Sequence, residues 1–398
     1  MRTDVKIDLF SSASYAHGHP RDQYEQLRGT EGWYWHEEPD GPGFWAVGRY
    51  ADAQAVSRAT DTFSSWYGTL MWDIDGPLLT RLREFMMFMD PPNHTFYRRL
   101  ATPAFTPRRA LQYQSDVQGL VNSLIDGVQD RPEFCLMEDL VGNLPLFFIA
   151  DVLGFPRVDS LRLYDQIRVV AAAPDAVTET ERADAVAALY EYGAELGREK
   201  RRKPADDLAS ILVMSEVDGE TISEEKFSAF FMLLVDAGAD TTRNALGAGL
   251  IQLMADREQW EALRNGSDKL LASATDEILR WASPAVHMRR TATRDTEFAG
   301  QRIQEGEKVV LFYGSANSDP AVFERPECFD ITRPKNPHVA FGAAGPHVCI
   351  GAHLARLEIR EMLRGIVTRL DGMEQIGEAR WHPSNYIIGP ESIPVRQR

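Results

Sequence analysis

The sequence predicts a mainly α fold with a minor β part, and three observations predict it. Apolar residues recur at intervals of three and four through most of residues 90–280, as in "SDVQGLVNSLIDGV" and "RADAVAALYEYGAEL". That is the period of a helix with one buried face. Pro and Gly cut this stretch into pieces of ordinary helix length. Strand-like alternation is confined to about 30–60 and to the part after 285.

In chain order, the first expected element is a helix at "RDQYEQLRG", after a short lead. Residues 33–60 hold the strand-like "GFWAVGRY" between Pro and Gly turns, then the helix "ADAQAVSRA". The helical region follows. Its longest member is expected over about 223–255, "SEEKFSAFFMLLVDAGADTTRNALGAGLIQLMA". Ser223 is its N-cap, with Glu225 and Lys226 in the first turn. It is apolar nearly all round, as a helix crossing the centre of a protein must be. Residues 290–313 alternate like strands around the turn "AGQRIQEGEK". A loop-rich stretch, 314–349, leads to Cys349, from which a last helix is expected to run to about Leu370. The tail "NYIIGPESIPVR" reads as a hairpin.

Bulk properties narrow the function. The 398 residues, 44% hydrophobic and 26% charged, can bury a large core in two or three ordinary domains or one large one. No apolar run approaches the ~20 residues that span a bilayer, and "MRTDVKIDLFSS" is neither a signal peptide nor an anchor. A cytoplasmic protein off the membrane is expected. A net charge of −16 argues against nucleic-acid binding, which needs a basic face. Basic residues still cluster in "YRRLATPAFTPRR" and in "REKRRK", the second read as a solvated face. Cys135, Cys328 and Cys349 make neither a disulfide framework nor a C-x-x-C zinc site. A metal on Cys349 must therefore bring its other ligands with it, as haem does.

Three segments carry candidate chemistry. In "FGAAGPHVCIGAHLAR", Cys349 precedes a helical stripe of Ile350, Leu354 and Leu357. A helix start offers unpaired N–H groups that favour thiolate over thiol. Gly342, Gly345 and Gly351 allow tight turns or close approach to a flat partner. A buried inert thiol, a nucleophile with His347 as its base, and a metal ligand all remain open. In "DAGADTT", Gly238 and two threonines are poor choices for a helix centre, and Asp240 is a costly charge if buried. Either the threonine bonds within its own helix, or the helix is widened to hold a ligand and a proton path. In "EILR", Glu277 and Arg280 lie three apart on one helix face and can pair.

Taken in order, these segments resemble the signature set of the cytochrome P-450 family, the haem-thiolate monooxygenases, over nearly the whole chain. "DPPNHTFYRRLATPAFTP" resembles the family's C-helix segment, "AGADTT" its oxygen-activation motif and "EILR" its E-x-x-R pair. "PECFDITR" resembles the loop carrying a third partner, and "GPHVCIG" the haem-ligand loop. The resemblance implies one cytochrome P-450 domain over 1–398: a β-richer part near 30–60, a helical part near 90–280 and a β-rich, haem-ligand part near 285–398. It implies haem b as cofactor, with Cys349 as the metal ligand. His94, Arg98, Arg290 and His347 are implied as propionate donors, and Ala237, Gly238, Phe341 and Gly351 as haem neighbours. Asp240 and Thr241 would be the catalytic acid–alcohol pair, and Glu277, Arg280 and Arg333 a structural triad. The pattern departs at two places. Phe341 stands eight residues before Cys349, where the family commonly has seven, and Ser318 stands where arginine is frequent.

As partners the resemblance implies dioxygen, a ferredoxin and its reductase, and a monomeric enzyme. Arg99, Arg108 and Arg109 would form a basic docking patch. Pocket candidates are the stretches 66–89 and 168–190, Leu233 to Ala237, Val286 to Met288 and Tyr386 to Ile388, with Trp72, Phe85, Met86, Leu233, Val286, Met288 and Ile387 singled out. Their apolar character suits a medium-to-large lipid, steroid or terpenoid. Tailoring of an aromatic, peptide or polyketide natural product, including ring coupling, is the alternative. A haem sensor or carrier is the rival of another class, and the presence of Asp240 and Thr241 speaks against it.

Overall fold

The computed structural model describes residues 7–74, 76–171 and 177–397. The expected lead peptide before residue 7, and the parts of the pocket stretches at 75 and 172–176, lie outside the described residues. The fold is mainly helical with small sheets. The central helix runs Glu224–Ala255, with Ser223 as its N-cap, the hydroxyl accepting from the Lys226 N–H. At 1.5 Å per residue its 32 residues span about 48 Å. It packs against Glu179–Arg202, Asn143–Leu153 and Asp268–Ala282. Small residues set these distances. A Cβ on Gly197 would lie 2.7 Å from the Phe227 ring, and one on Gly249 would lie 2.4 Å from Ile278.

The largest sheet has the spatial order Tyr34–His36, Phe44–Val47, Lys308–Phe312, His287–Ala292, Phe63–Ser64. Lys308–Phe312 runs parallel to Phe44–Val47 and antiparallel to His287–Ala292. The sequence expectation of one turn in 290–313 is corrected. Thr296–Phe298 and Gln301–Ile303 form their own hairpin over Ala299 and Gly300, both at positive φ (50° and 75°). A second turn follows at Gly306.

The tail is also corrected, because it is not a hairpin. Gly389–Ser392 pairs with Arg380–His382, and Pro394–Arg396 pairs with Glu374–Gln375 and Glu133–Cys135. Gly389 is not a turn residue. It lies in a strand against the central helix, where a Cβ would sit 2.1 Å from Asn244. The last long helix begins at Ala352 rather than Cys349 and ends at Arg369. Among the described residues, no helix is long and apolar enough to cross a membrane.

Candidate functional site

The loop ahead of the last helix closes on itself. The Cys349 N–H donates to the Phe341 carbonyl at 2.8 Å, and the Gly342 N–H to Val339 at 2.9 Å. Gly342 and Gly345 take positive φ (97° and 74°), and a Cβ on Gly345 would meet the Ser57 carbonyl oxygen at 2.2 Å. The chain between Phe341 and Cys349 thus turns at two glycines of positive φ, one pressed against a neighbouring backbone. The Phe341 ring faces Arg356 at 4.7 Å.

Burial pushes the Cys349 thiol up from its ordinary value. The N–H groups of Gly351 and Ala352 and the charges of Arg98 and Arg356 pull it down. Although closely surrounded by chain, Cys349 has an open surface, as a group on the floor of a cleft does. The burial penalty is weaker for that reason, and these four partners favour thiolate. Among the described residues, no hydrogen bond joins His347 to Cys349, so the nucleophile reading lacks its base. No group of three or more His, Cys, Asp or Glu there could hold a metal ion either.

His347 lies instead against His94, ring centroids 4.3 Å apart, and shares a hydrogen bond with Ser65 Oγ at 3.3 Å. Burial, then Arg98 and Arg290, push His94 down to about 4. Burial, then Arg290, His94 and Arg98, push His347 down as well. Arg98 Nη1 donates to the Val348 carbonyl at 2.6 Å, and Arg290, buried, donates to the Arg289 carbonyl. His94 Nδ1 is buried and has no partner. Four donor groups crowded together, one of them orphaned, suit an anionic ligand.

The central helix presents an accessible stripe. Leu233, Asp236, Ala237, Asp240, Thr241 and Asn244 recur at three and four within a largely buried helix, and Asp236 and Ala237 are exposed. Gly238 is half-buried, its missing side chain directed toward Ile149. The expected widening of the helix is not found. The helix is continuous, and the Thr241 hydroxyl donates to the Ala237 carbonyl at 2.8 Å. Asp240 does not bond Thr241. It accepts from the Tyr164 hydroxyl at 2.6 Å, and Arg243, 3.8 Å from Asp240, donates to the same hydroxyl.

Glu277 and Arg280 form a two-pronged pair at 2.7 and 2.8 Å, both side chains fully buried. Arg333 joins Glu277 at 3.1 Å, and Asn336 at 3.0 Å. Arg280 also binds the carbonyls of Asn317, Pro326 and Cys328, so the cluster ties a helix end to the loop before Cys349. Ser318 bonds the Gly314 carbonyl and receives Arg21.

The pocket residues divide. Trp72, Leu233, Met288 and Ile387 are half-buried and Trp72 meets His287 edge-on. Phe85, Met86 and Val286 are buried among the core side chains. Val286 is tied through its backbone to Tyr386 and Tyr313. Within the expected docking patch, Arg109 is bound to Asp206 and Tyr113, while Arg108 and Arg99, the latter paired with Asp218, are both exposed. Tyr164 and Asn336 carried no sequence signal, since their partners lie far along the chain; Arg243 stands three residues after Asp240, a spacing that could have flagged it. Asp236 did carry one, as a charge ending the run "FFMLLV".

An open cysteine before a helix, a cluster of His and Arg donors, and a central helix with an accessible threonine-bearing stripe together match a haem-thiolate type of site. A cytochrome P450 family model matches residues 161–373. The chain is 33% identical to a steroid C26-monooxygenase of Rhodococcus jostii, over 98% of this chain and 84% of the relative. It is 34% identical to a linalool 8-monooxygenase of Pseudomonas putida, over 98% of each. A Mycobacterium marinum cytochrome P450, CYP268A2, solved with pseudoionone, superposes with a TM-score of 0.90 at 34% identity, covering 100% of this chain and 99% of that one. The chain belongs to the cytochrome P450 family and is a monooxygenase of that family. Members bind haem through a thiolate and use dioxygen, redox partners and apolar substrates.

Proposed function

We propose that the enzyme binds haem b through Cys349 and hydroxylates a medium-to-large lipid, steroid or terpenoid. The observation that carries this is the open Cys349, held at a helix start by Gly351 and Ala352 N–H groups. The named activities of the steroid and linalool relatives support the substrate class. A ferredoxin and its reductase supply the two electrons, and the enzyme works in the cytoplasm as a monomeric single domain.

When bound, the haem supplies an iron centre that reduces dioxygen and lets one oxygen atom enter a C–H bond. The residues fit it: His94, Arg98, Arg290 and His347 would hold its propionates, for which the unpartnered His94 Nδ1 is an available donor. Thr241 Oγ1 lies on the accessible stripe and holds a proton at the cleft. Asp240 holds the next proton position, with Tyr164 and Arg243 fixing its carboxylate. Leu233, Ala237, Met288 and Ile387 line the cleft and keep water out. Glu277, Arg280 and Arg333 hold the loop that carries Cys349.

The test is the reduced carbon-monoxide spectrum. Wild type is expected to show the red-shifted Soret band of a thiolate ligand, and Cys349→Ser to lose it while retaining haem. An unaltered band in the variant overturns the assignment.

A further inference from the structure

One charged cluster takes no part in the donor group, the relay or the Glu277 set. Asp276 stands on the helix Asp268–Ala282, immediately before Glu277, but its carboxylate has other partners. It accepts from Arg356 Nε at 2.8 Å and from His338 Nε2 at 3.2 Å. The His338 side chain is buried, and its Nδ1 accepts from the Ala340 N–H at 3.3 Å. That fixes the tautomer, with the ring proton on Nε2 and directed at Asp276. The cluster therefore holds one cation, Arg356, and one anion, Asp276, joined by a neutral imidazole. Burial pushes the Asp276 carboxyl up, but the bonds from His338 and Arg356 outweigh it and hold it below the usual carboxylate range.

The cluster meets the Cys349 loop in two ways. The Arg356 guanidinium lies over the Phe341 ring, 4.7 Å from its centroid, and the His338 ring flanks the same ring at 5.7 Å. The Phe341 carbonyl in turn accepts from the Cys349 N–H at 2.8 Å. Arg356 also follows Ala352 by about one turn on the helix Ala352–Arg369. Helical side chains lean toward the N-terminal end of their helix, which here is the end where Cys349 stands. Asp276 reaches Arg356 from a different helix and grips it from the far side. Reducing a thiolate-bound iron adds negative charge at that place. A cation beside it favours the electron and an anion opposes it.

We propose that Asp276, His338 and Arg356 set the reduction potential of the haem held by Cys349, with Arg356 raising it and Asp276 lowering it. This rests on the proposed ligation by Cys349 and adds what tunes it. They are positioning residues. His338 orients Asp276, Asp276 fixes Arg356, and the Arg356 charge acts on Cys349 from its place over Phe341.

The experiment is a spectroelectrochemical titration of the haem-loaded enzyme, without substrate, in wild type and in Arg356→Met, Arg356→Lys and Asp276→Asn. Arg356→Met is expected to cut the ferrous-to-ferric ratio at a fixed potential at least about threefold, a downward shift of about 28 mV at 59 mV per tenfold for one electron. Asp276→Asn keeps the side-chain shape, leaves the cation uncompensated and is expected to shift the potential upward by a similar amount. Arg356→Lys keeps the charge and is expected to hold the ratio within about twofold of wild type. Opposite signs in the first and third variants mark an electrostatic role. Shifts of the same sign, or none, overturn the proposal, as does Arg356→Lys moving as far as Arg356→Met. The carbon-monoxide band keeps the two readings apart. A red-shifted band with unmoved potentials overturns the cluster and leaves Cys349 as ligand. Loss of the band in Asp276→Asn or Arg356→Met alone makes the cluster a structural support and overturns the tuning role. Its absence in wild type overturns the ligand assignment and the cluster together.

Discussion

At the residue scale, the most demanding group is Glu277. Its carboxylate is fully buried and compensates two buried arginines, with Asn336 and the Asp330 N–H completing its shell. Removing one member of such a set leaves the others charged in a low-dielectric place, a loss of about 3–5 kcal/mol. Glu277→Ala is expected to lose that much in guanidinium unfolding; a loss under about 1 kcal/mol would show that the cluster is not structural. The pair itself was legible, because residues three apart on a helix face each other. The backbone carbonyls that complete the Arg280 shell were not, since a carbonyl in a loop has no residue-type signature. Tyr164 on Asp240 was hidden for another reason. The two are 76 positions apart and only helix packing joins them.

At the element scale, the strand His287–Ala292 is joined to two loops by the imidazole of His287. Its Nε2 accepts from the Met71 N–H at 3.0 Å, and its Nδ1 donates to the Asn385 carbonyl at 2.8 Å. That pairing requires the neutral ring, because a protonated Nε2 would face another N–H. Burial accordingly pushes its pKa from 6.5 down to about 4, against the pull of the Asn385 carbonyl. With the folded pKa below the unfolded one, the unfolded chain takes up the proton first. Stability conferred by this group is complete above about pH 6.5 and is lost as pH falls toward 4, up to about 3 kcal/mol. His287→Gln, which can still accept and donate, is expected to flatten that part of the profile when unfolding is followed by tryptophan fluorescence. An identical slope in both proteins would place the acid sensitivity elsewhere. The strand was visible in the sequence from its alternation. The cross-links from its histidine were not, for Met71 and Asn385 take part through backbone groups. Gly389 shows the same limit from the other side. A glycine reads as a turn, and here it marks a strand lying against a helix.

At the scale of the whole molecule, helical period fixes the dominant class, while tail pairing depends on which edges are free and cannot be read locally. Charge is the other whole-molecule property. A net −16 would repel the proposed acidic ferredoxin at long range, so docking of such a partner would rest on a local positive patch. The expected patch shrinks once ion pairs are assigned. Arg109 is held by Asp206 and Tyr113, and Arg364 and Arg360 on the last helix are held by Glu361. Arg99 keeps much of its charge accessible, since its pair with Asp218 is solvent-exposed and weak. Arg108 is exposed on the short helix Pro107–Gln112, which packs on the helix following Cys349. Arg108→Glu is therefore expected to slow ferredoxin-driven reduction about threefold to tenfold at low salt, with dithionite reduction unchanged. The difference should narrow as ionic strength rises, because at 0.15 M charges more than about 8 Å apart are largely screened. Reversing Arg109 instead would break its bond to Asp206 and damage the fold, which would mimic a docking defect. Stopped-flow reduction across a salt series separates the two: a salt-independent loss points to damage, and equal rates in Arg108→Glu and wild type at low salt would remove this face from the electron path.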